Sequence, residues 1–115
     1  MFDRLLYVAG PYRAPTREGI QANIDRARVA AQRLWRMGYV AVCPHLNSAN
    51  FEGDPAWYLK GGLALLARCD AIYLLQGWEL SAGSLDEADC AQFCGLPFFF
   101  EGEYEPPDLT GGVDA

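Results

Sequence analysis

One short segment of the sequence combines small residues with an acid in a pattern that suits anion binding and catalysis. Ser81, Gly83 and Ser84 precede Glu87 in the run SAGSLDE. Small residues in the first turn of a helix leave the backbone N–H groups accessible, and the aligned peptide dipoles favour an anion there. Glu87 follows one to two turns later, from where its carboxylate can reach back toward the bound group. The alternative is that Ser81 only caps the helix and Glu87 is a favourable acid near its start.

Residues of the first apolar strand and the turn behind it can complete such a site. Arg13 follows the Gly10-Pro11 turn, so its guanidinium can face the same anion; the alternative is a solvated loop arginine. Tyr7 lies inside the strand, where a tyrosine is usually a core residue whose hydroxyl is satisfied at the edge. Gly10 marks the point where the strand ends and the chain turns.

The single histidine and two aromatic residues are further candidates. His45 is a possible general base, although a histidine after a strand also fits a hydrogen-bonded scaffold role, which places it below Glu87. Trp78 and Tyr12 can stack on a planar base or simply pack against a loop.

These residues are positioned by short apolar strands that alternate with longer helices. Strands are predicted at residues 4–9, 39–43, 70–75 and 97–101. Helices are predicted between Ile20 and Gly38, after the Asp54-Pro55 cap, and from Ser81 to about Cys94, whereas residues 45–53 are predicted to form a loop. This alternation predicts an α/β three-layer sandwich with a parallel sheet of four to five strands. Its strand-to-helix loops then share one edge, where ligands bind.

Length and charge limit the possible functions. The chain of 115 residues, 12.7 kDa, allows one domain, which we place at residues 1–101. Residues 102–115, rich in proline, glycine and acids, are predicted to be a flexible tail that adds nothing to the core. A net charge of −6 argues against a nucleic-acid polymer or a membrane surface as partner, but not against a single small anion.

The four cysteines do not indicate a metal site. Cys90 and Cys94 are four residues apart, there is no CxxC spacing, and one histidine in the chain supplies zinc poorly. Buried thiols in a reducing cytoplasm are the simpler interpretation, so we expect no metal and a cytoplasmic protein.

Taken together, the motifs resemble the nucleoside 2-deoxyribosyltransferase superfamily, in particular its short single-domain branch. The resemblance covers about residues 5–101 and rests on YVAGPYR at residues 7–13, CDAIYLL at residues 69–75, and GWE followed by Ser81-x-Gly83-x-x-x-Glu87. It implies a flavodoxin/Rossmann-like fold, no cofactor, a small-molecule nucleotide or nucleoside as partner, and a homodimer or higher homo-oligomer.

The resemblance also implies roles for individual residues. A glutamate at the position of Glu87 attacks sugar C1′ and forms a glycosyl-enzyme intermediate, with Tyr7 beside the sugar. At position 81 the transferases carry an aspartate, whereas this chain has a serine. In this respect it resembles the 2′-deoxynucleoside 5′-monophosphate N-glycosidases. Ser81, Gly83, Ser84 and Arg13 are then expected at the phosphate, and Gly10, His45 and Trp78 elsewhere in the substrate pocket.

One position departs from the family pattern. Relatives usually place an aspartate near residue 62, where this chain has Gly62. Either Glu52 or Asp54 covers that role from the preceding loop, or catalysis is weak, or the protein binds a nucleotide without cleaving it. The sequence predicts neither the base, nor the sugar, nor whether water or a second base takes the sugar.

Overall fold

Four strands and four α-helices make up the regular structure in a computed structural model that describes residues 1–47 and 51–111. In chain order they are β1 (Leu5–Ala9), α1 (Arg17–Arg36), β2 (Val40–Val42), α2 (Pro44–Asn47), α3 (Pro55–Leu66), β3 (Ala71–Leu74), α4 (Ala82–Phe93) and β4 (Phe98–Phe100). A 3-10 turn, Trp78–Leu80, lies between β3 and α4. The predicted loop at residues 45–53 instead begins with α2, and its residues 48–50 lie outside the described residues.

The strands form one parallel sheet in the order β2-β1-β3-β4. Tyr7 of β1 aligns with Val42 of β2 on one side and with Ile72 of β3 on the other. The chain adds β2 to one side of β1 and then β3 to the opposite side, which is the strand order of flavodoxin-like folds. The predicted α/β fold class with a four-stranded parallel sheet is confirmed.

The sheet is buried on both faces because side chains alternate along each strand. Leu6 and Val8 of β1 face α1. They pack in one cluster with Ala27, Ala31 and Leu34 of α1 and with Tyr73 of β3. Tyr7 and Ala9 face the opposite layer, where Leu66 of α3, Ala91 of α4, Ile72 and Leu74 complete a second cluster. Tyr7 therefore points at the two helices that carry Gly62 and Glu87.

Polar caps fix where the helices start. The Thr16 hydroxyl accepts a hydrogen bond from Gly19 N, so α1 begins at Arg17 rather than at Ile20, where the apolar stripe begins. Asp54 caps α3 by accepting from Ala56 N at 2.9 Å, as the Asp-Pro pair predicts. Ser81 caps α4 in the same way, through Ser84 N.

The chain after β4 packs against the domain, so the prediction of a flexible tail is wrong for residues 102–111. The Glu105 carboxylate accepts hydrogen bonds from the Tyr73 hydroxyl at 2.7 Å and pairs with Arg33 at 3.2 Å. Pro107 O accepts from the Tyr39 hydroxyl at 2.6 Å. Composition does not reveal this docking, because individual polar contacts hold the segment rather than an apolar run: the half-buried Glu105 carboxylate, the Pro107 carbonyl, and the Leu109 N–H, which donates to Met37 O. Residues 112–115 lie outside the described residues.

Removal of residues 102–115 should therefore destabilise the protein. The truncation removes the acceptors of the Tyr73 and Tyr39 hydroxyl protons, although Arg33 still donates to the Tyr73 oxygen. A buried donor left without an acceptor costs about 1–3 kcal/mol. We expect the melting temperature to fall by at least about 4 °C in a thermal scan followed by circular dichroism. Deletion of residues 112–115 alone is the control, since it leaves these contacts in place; equal melting temperatures for both truncations would contradict the prediction.

Two further features concern the chain as a whole. Within the described residues, no helix is long and apolar enough to cross a bilayer. All four cysteines are free thiols; Cys43 and Cys69 are buried as predicted, but Cys94 is exposed.

Candidate active site

The carboxyl ends of β1 and β3 lie side by side at the point where the chain changes direction across the sheet. In an open parallel sheet this is where ligands bind. Gly10 to Arg13 follow β1 here, and the segment containing Trp78, Ser81 and Glu87 follows β3. The sheet order therefore brings the two predicted segments to one edge.

A tyrosine–glutamate pair lies beneath this edge. The Tyr7 hydroxyl donates a hydrogen bond to Oε2 of Glu87, joining β1 to α4. Burial raises the pKa of the Glu87 carboxyl to about 7, although the Tyr7 hydrogen bond acts in the opposite direction. Burial, and then the negative charge of Glu87, raises the pKa of Tyr7 well above its ordinary range, so the phenol stays protonated and donates.

Helix α3 touches the same pair at Gly62. A Cβ built on Gly62 would lie 2.9 Å from the Tyr7 hydroxyl oxygen, closer than a Cβ atom approaches a neighbouring heavy atom in protein structures. The two acids that we considered in place of an aspartate here have other positions: Glu52 and Asp54 are exposed, and Asp54 is committed to the α3 cap. Sequence reasoning treated Gly62 only as a missing acid. Two glycines inside a helix were the signal that backbone or side chain approaches closely there.

The start of α4 combines accessible amides with one buried hydroxyl. The first-turn amides of Ala82 and Gly83 have no intrahelical partner. We expected the N–H of Ser84 to be accessible as well, but it donates a hydrogen bond to the Ser81 Oγ at 3.2 Å. Ser84 is buried, and within the described part of the chain its Oγ has no hydrogen-bond partner. A Cβ at Gly83 would meet only Ser81 Oγ, at 4.0 Å, so the space above this turn is open.

The turn after β1 contains two of the predicted site residues, Gly10, which is buried, and Arg13, which is exposed. A Cβ on Gly10 would lie 2.7 Å from the Leu75 side chain, so glycine is needed for this turn to pack against the end of β3. Arg13 is exposed, and among the described residues it forms no ion pair. Its charge is available to a ligand, and no hydrogen bond or ion pair from the described part of the chain orients it.

His45 belongs to the scaffold in the structure. Its ring is buried, and Nε2 donates to Pro11 O at 2.9 Å, which ties α2 to the turn after β1. Burial lowers its pKa, so the ring is neutral at pH 7. Tyr12 packs edge-on against it at 5.3 Å, and Trp78 packs against Phe100. Contact of His45 or Trp78 with a substrate stays a prediction.

Comparison with known proteins identifies the family. A family model described as a domain of unknown function, DUF4406, matches residues 4–100. The chain belongs to the DUF4406 family. A comparison with curated protein sequences gives no match.

The DUF4406 fold also occurs in a solved enzyme structure. The chain is similar to a 2-deoxyribosyltransferase from the psychrotolerant bacterium Bacillus psychrosaccharolyticus, with a TM-score of 0.62 and 19% sequence identity. The match covers 89% of this chain and 77% of that one. At this identity the similarity shows that the DUF4406 domain shares the fold of that enzyme.

Proposed function

We propose that this protein cleaves the bond between base and sugar of a nucleoside 5′-monophosphate, as an N-glycosidase or a deoxyribosyltransferase. One observation carries the proposal: a half-buried carboxylate, Glu87, receives a hydrogen bond from a buried tyrosine at the carboxyl edge of a parallel sheet. The fold shared with a 2-deoxyribosyltransferase supports the same class of reaction. The substrate is a small molecule, and the expected setting is a cytoplasmic homo-oligomer.

In the proposed reaction Glu87 is the nucleophile. Tyr7 donates to Oε2, and no described residue hydrogen-bonds Oε1, which leaves Oε1 to attack C1′. The C1′–N bond breaks, its electron pair goes to the base, and the base takes a proton from the solvent, to which the attacking acceptor later returns one. Water, or a second base, then attacks C1′ and releases the sugar from Glu87, as in retaining glycosidases. Tyr7 holds Oε2 throughout and thereby orients the carboxylate.

The start of α4 is the proposed phosphate site. The free amides of Ala82 and Gly83 lie at the positive end of the helix dipole. The Ser84 hydroxyl supports the proposal, because among the described residues it is buried without a partner, which is costly, and it could bond a group that enters the start of α4. Arg13 adds a fixed positive charge from the neighbouring turn.

The direct test is release of free base. Purified protein is incubated with each of the four deoxynucleoside 5′-monophosphates, and the free base is separated by liquid chromatography. The proposal expects release from at least one of them. Binding without release from any would favour the second candidate, a nucleotide-binding or sensing module. Gly62 favours that candidate, because relatives usually place an aspartate there and Asp54 is occupied by its cap.

The pH dependence of base release should follow ionisation of Glu87. Because the nucleophile must be ionised and burial raises the Glu87 pKa to about 7, kcat/KM should rise with pH up to about 7 and then level. Tyr7→Phe removes the hydrogen bond that lowers this pKa, so the bend should move to higher pH. The phosphate of the substrate titrates independently of Tyr7. If the bend in the pH profile of kcat/KM stays at the same pH in Tyr7→Phe, that ionisation belongs to the substrate and the prediction is contradicted.

A further inference from the structure

Helix α3 contains two adjacent glycines that differ sharply in their surroundings. Gly61 is exposed, and a Cβ there would meet no atom within 4 Å. Gly62 faces the sheet, and a Cβ there would lie 2.9 Å from the Tyr7 hydroxyl oxygen. Neither glycine has a positive φ, so backbone conformation requires neither. Since glycine weakens a helix interior relative to alanine, Gly62 needs another reason, and the Tyr7 contact supplies it.

The Tyr7 side chain cannot easily give way. It is fully buried in β1, which is paired with a strand on each side. Its ring packs in the cluster formed by Leu66, Ile72 and neighbouring residues, and its hydroxyl is bonded to Glu87. A rigid ring held in this way can move its oxygen only by displacing the packed cluster or by leaving the carboxylate.

We infer that Gly62 is a positioning residue: by having no side chain, it gives the Tyr7 hydroxyl the space from which it holds the Glu87 carboxylate. With the packing of this chain, a side chain at position 62 forces the hydroxyl away from Oε2 or forces α3 away from the sheet. The importance of this for catalysis rests on the proposed function, whereas the steric relation does not.

Loss of the Tyr7 contact has a defined electrostatic effect. The titratable groups that influence or are influenced by Glu87 come from three elements: Tyr7 from β1, Cys43 from the end of β2, and Asp86 and Cys90 from α4. Of these, the Tyr7 hydrogen bond lowers the Glu87 pKa, whereas Asp86 raises it. Displacing the hydroxyl should therefore raise the pKa of Glu87 further.

The stability test compares alanine at the two glycines in two backgrounds. Gly61→Ala should raise the melting temperature, because alanine favours the helix and meets nothing. Gly62→Ala should melt at least about 4 °C below Gly61→Ala. In the Tyr7→Phe background, which lacks the oxygen that the new Cβ would meet, this difference should disappear. If Gly62→Ala fails to fold, Tyr7→Phe/Gly62→Ala should fold.

Two readouts separate positioning from a purely structural role. Carbon NMR titration of the Glu87 carboxyl should show a higher pKa in Gly62→Ala and no change in Gly61→Ala. Base release by Gly62→Ala should lose at least tenfold in kcat, with little change in KM, whereas Gly61→Ala keeps the wild-type rate. The inference is overturned if both alanine variants have equal melting temperatures and Glu87 pKa values, or if the double variant stays unfolded. Absence of base release from the wild type would refute the proposed function without altering the stability and NMR outcomes.

Discussion

Replacing Glu87 by glutamine should reduce base release by at least about 10³-fold and leave the fold intact. The loss corresponds to about 4 kcal/mol of barrier, because an amide oxygen is a far weaker nucleophile toward C1′ than a carboxylate. Glutamine has the same shape, and its oxygen still accepts the Tyr7 hydrogen bond. The measurement is the initial rate of free-base formation. Activity within about tenfold of the wild type would show that Glu87 is not the nucleophile.

A stability measurement on the same variant checks the environment of Glu87 without any substrate. Burial raises the folded-state pKa to about 7, above the ordinary value of 4.5, so the folded protein binds more protons than the unfolded chain between these values. Wild-type stability should therefore fall as the pH rises from about 4.5 to 7, whereas Glu87→Gln has no such loss. We expect the variant to gain at least about 4 °C on the wild type between pH 5 and pH 8. A constant difference would contradict a raised pKa for the Glu87 carboxyl in the folded protein.

Nucleoside 5′-monophosphates should bind at least tenfold more tightly than the matching nucleosides. In the proposed phosphate site, the first-turn amides of α4, the Ser84 hydroxyl and Arg13 are the groups expected to bind an oxyanion, and hydrogen bonds to charged groups contribute roughly 1.5–3 kcal/mol each. Ser81→Asp should remove most of this preference, because a carboxylate there repels the phosphate. Calorimetric titration of one nucleoside and its monophosphate measures both affinities.

Asparagine at the same position provides the matched control. Aspartate and asparagine both cap helices well, so each should preserve the bond that Ser81 makes to Ser84 N. Asparagine has no charge, and Ser81→Asn should therefore retain the preference for the monophosphate. If the wild type binds nucleoside and monophosphate equally, the start of α4 is merely capped and the phosphate assignment is wrong.

The sequence predicts the fold well because its strands and helices have clear local signals. Apolar runs such as residues 70–75 indicate buried strands, and Asp54-Pro55 and Ser81 indicate helix starts that the structure confirms. The accessibility of the N–H groups at the start of α4 was predicted only in part. The Ser81 hydroxyl, which marks this residue as the helix cap, accepts a hydrogen bond from Ser84 N, so that amide is not free.

What the sequence could not predict depends on contacts between distant residues. Tyr7 and Glu87 are 80 positions apart, and their bond requires α4 to cross the sheet face toward which Tyr7 points. Gly62 acquires its significance from the 2.9 Å approach to that hydroxyl; the two helical glycines signal a close approach, but they do not show which residue is approached. Likewise, Glu105 looks like one acid in a polar tail until α1 and β3 place Arg33 and Tyr73 beside it.

The stereochemistry of the product tests a covalent intermediate on Glu87 most directly. In water containing methanol, cleavage of a β-configured deoxynucleoside 5′-monophosphate gives a methyl glycoside, whose anomeric configuration is fixed and is read by proton NMR. Two successive displacements, the first by Glu87 and the second by methanol, should give the retained β-glycoside. The inverted α-glycoside would mean that the acceptor attacks C1′ directly, and Glu87 would then not be the nucleophile.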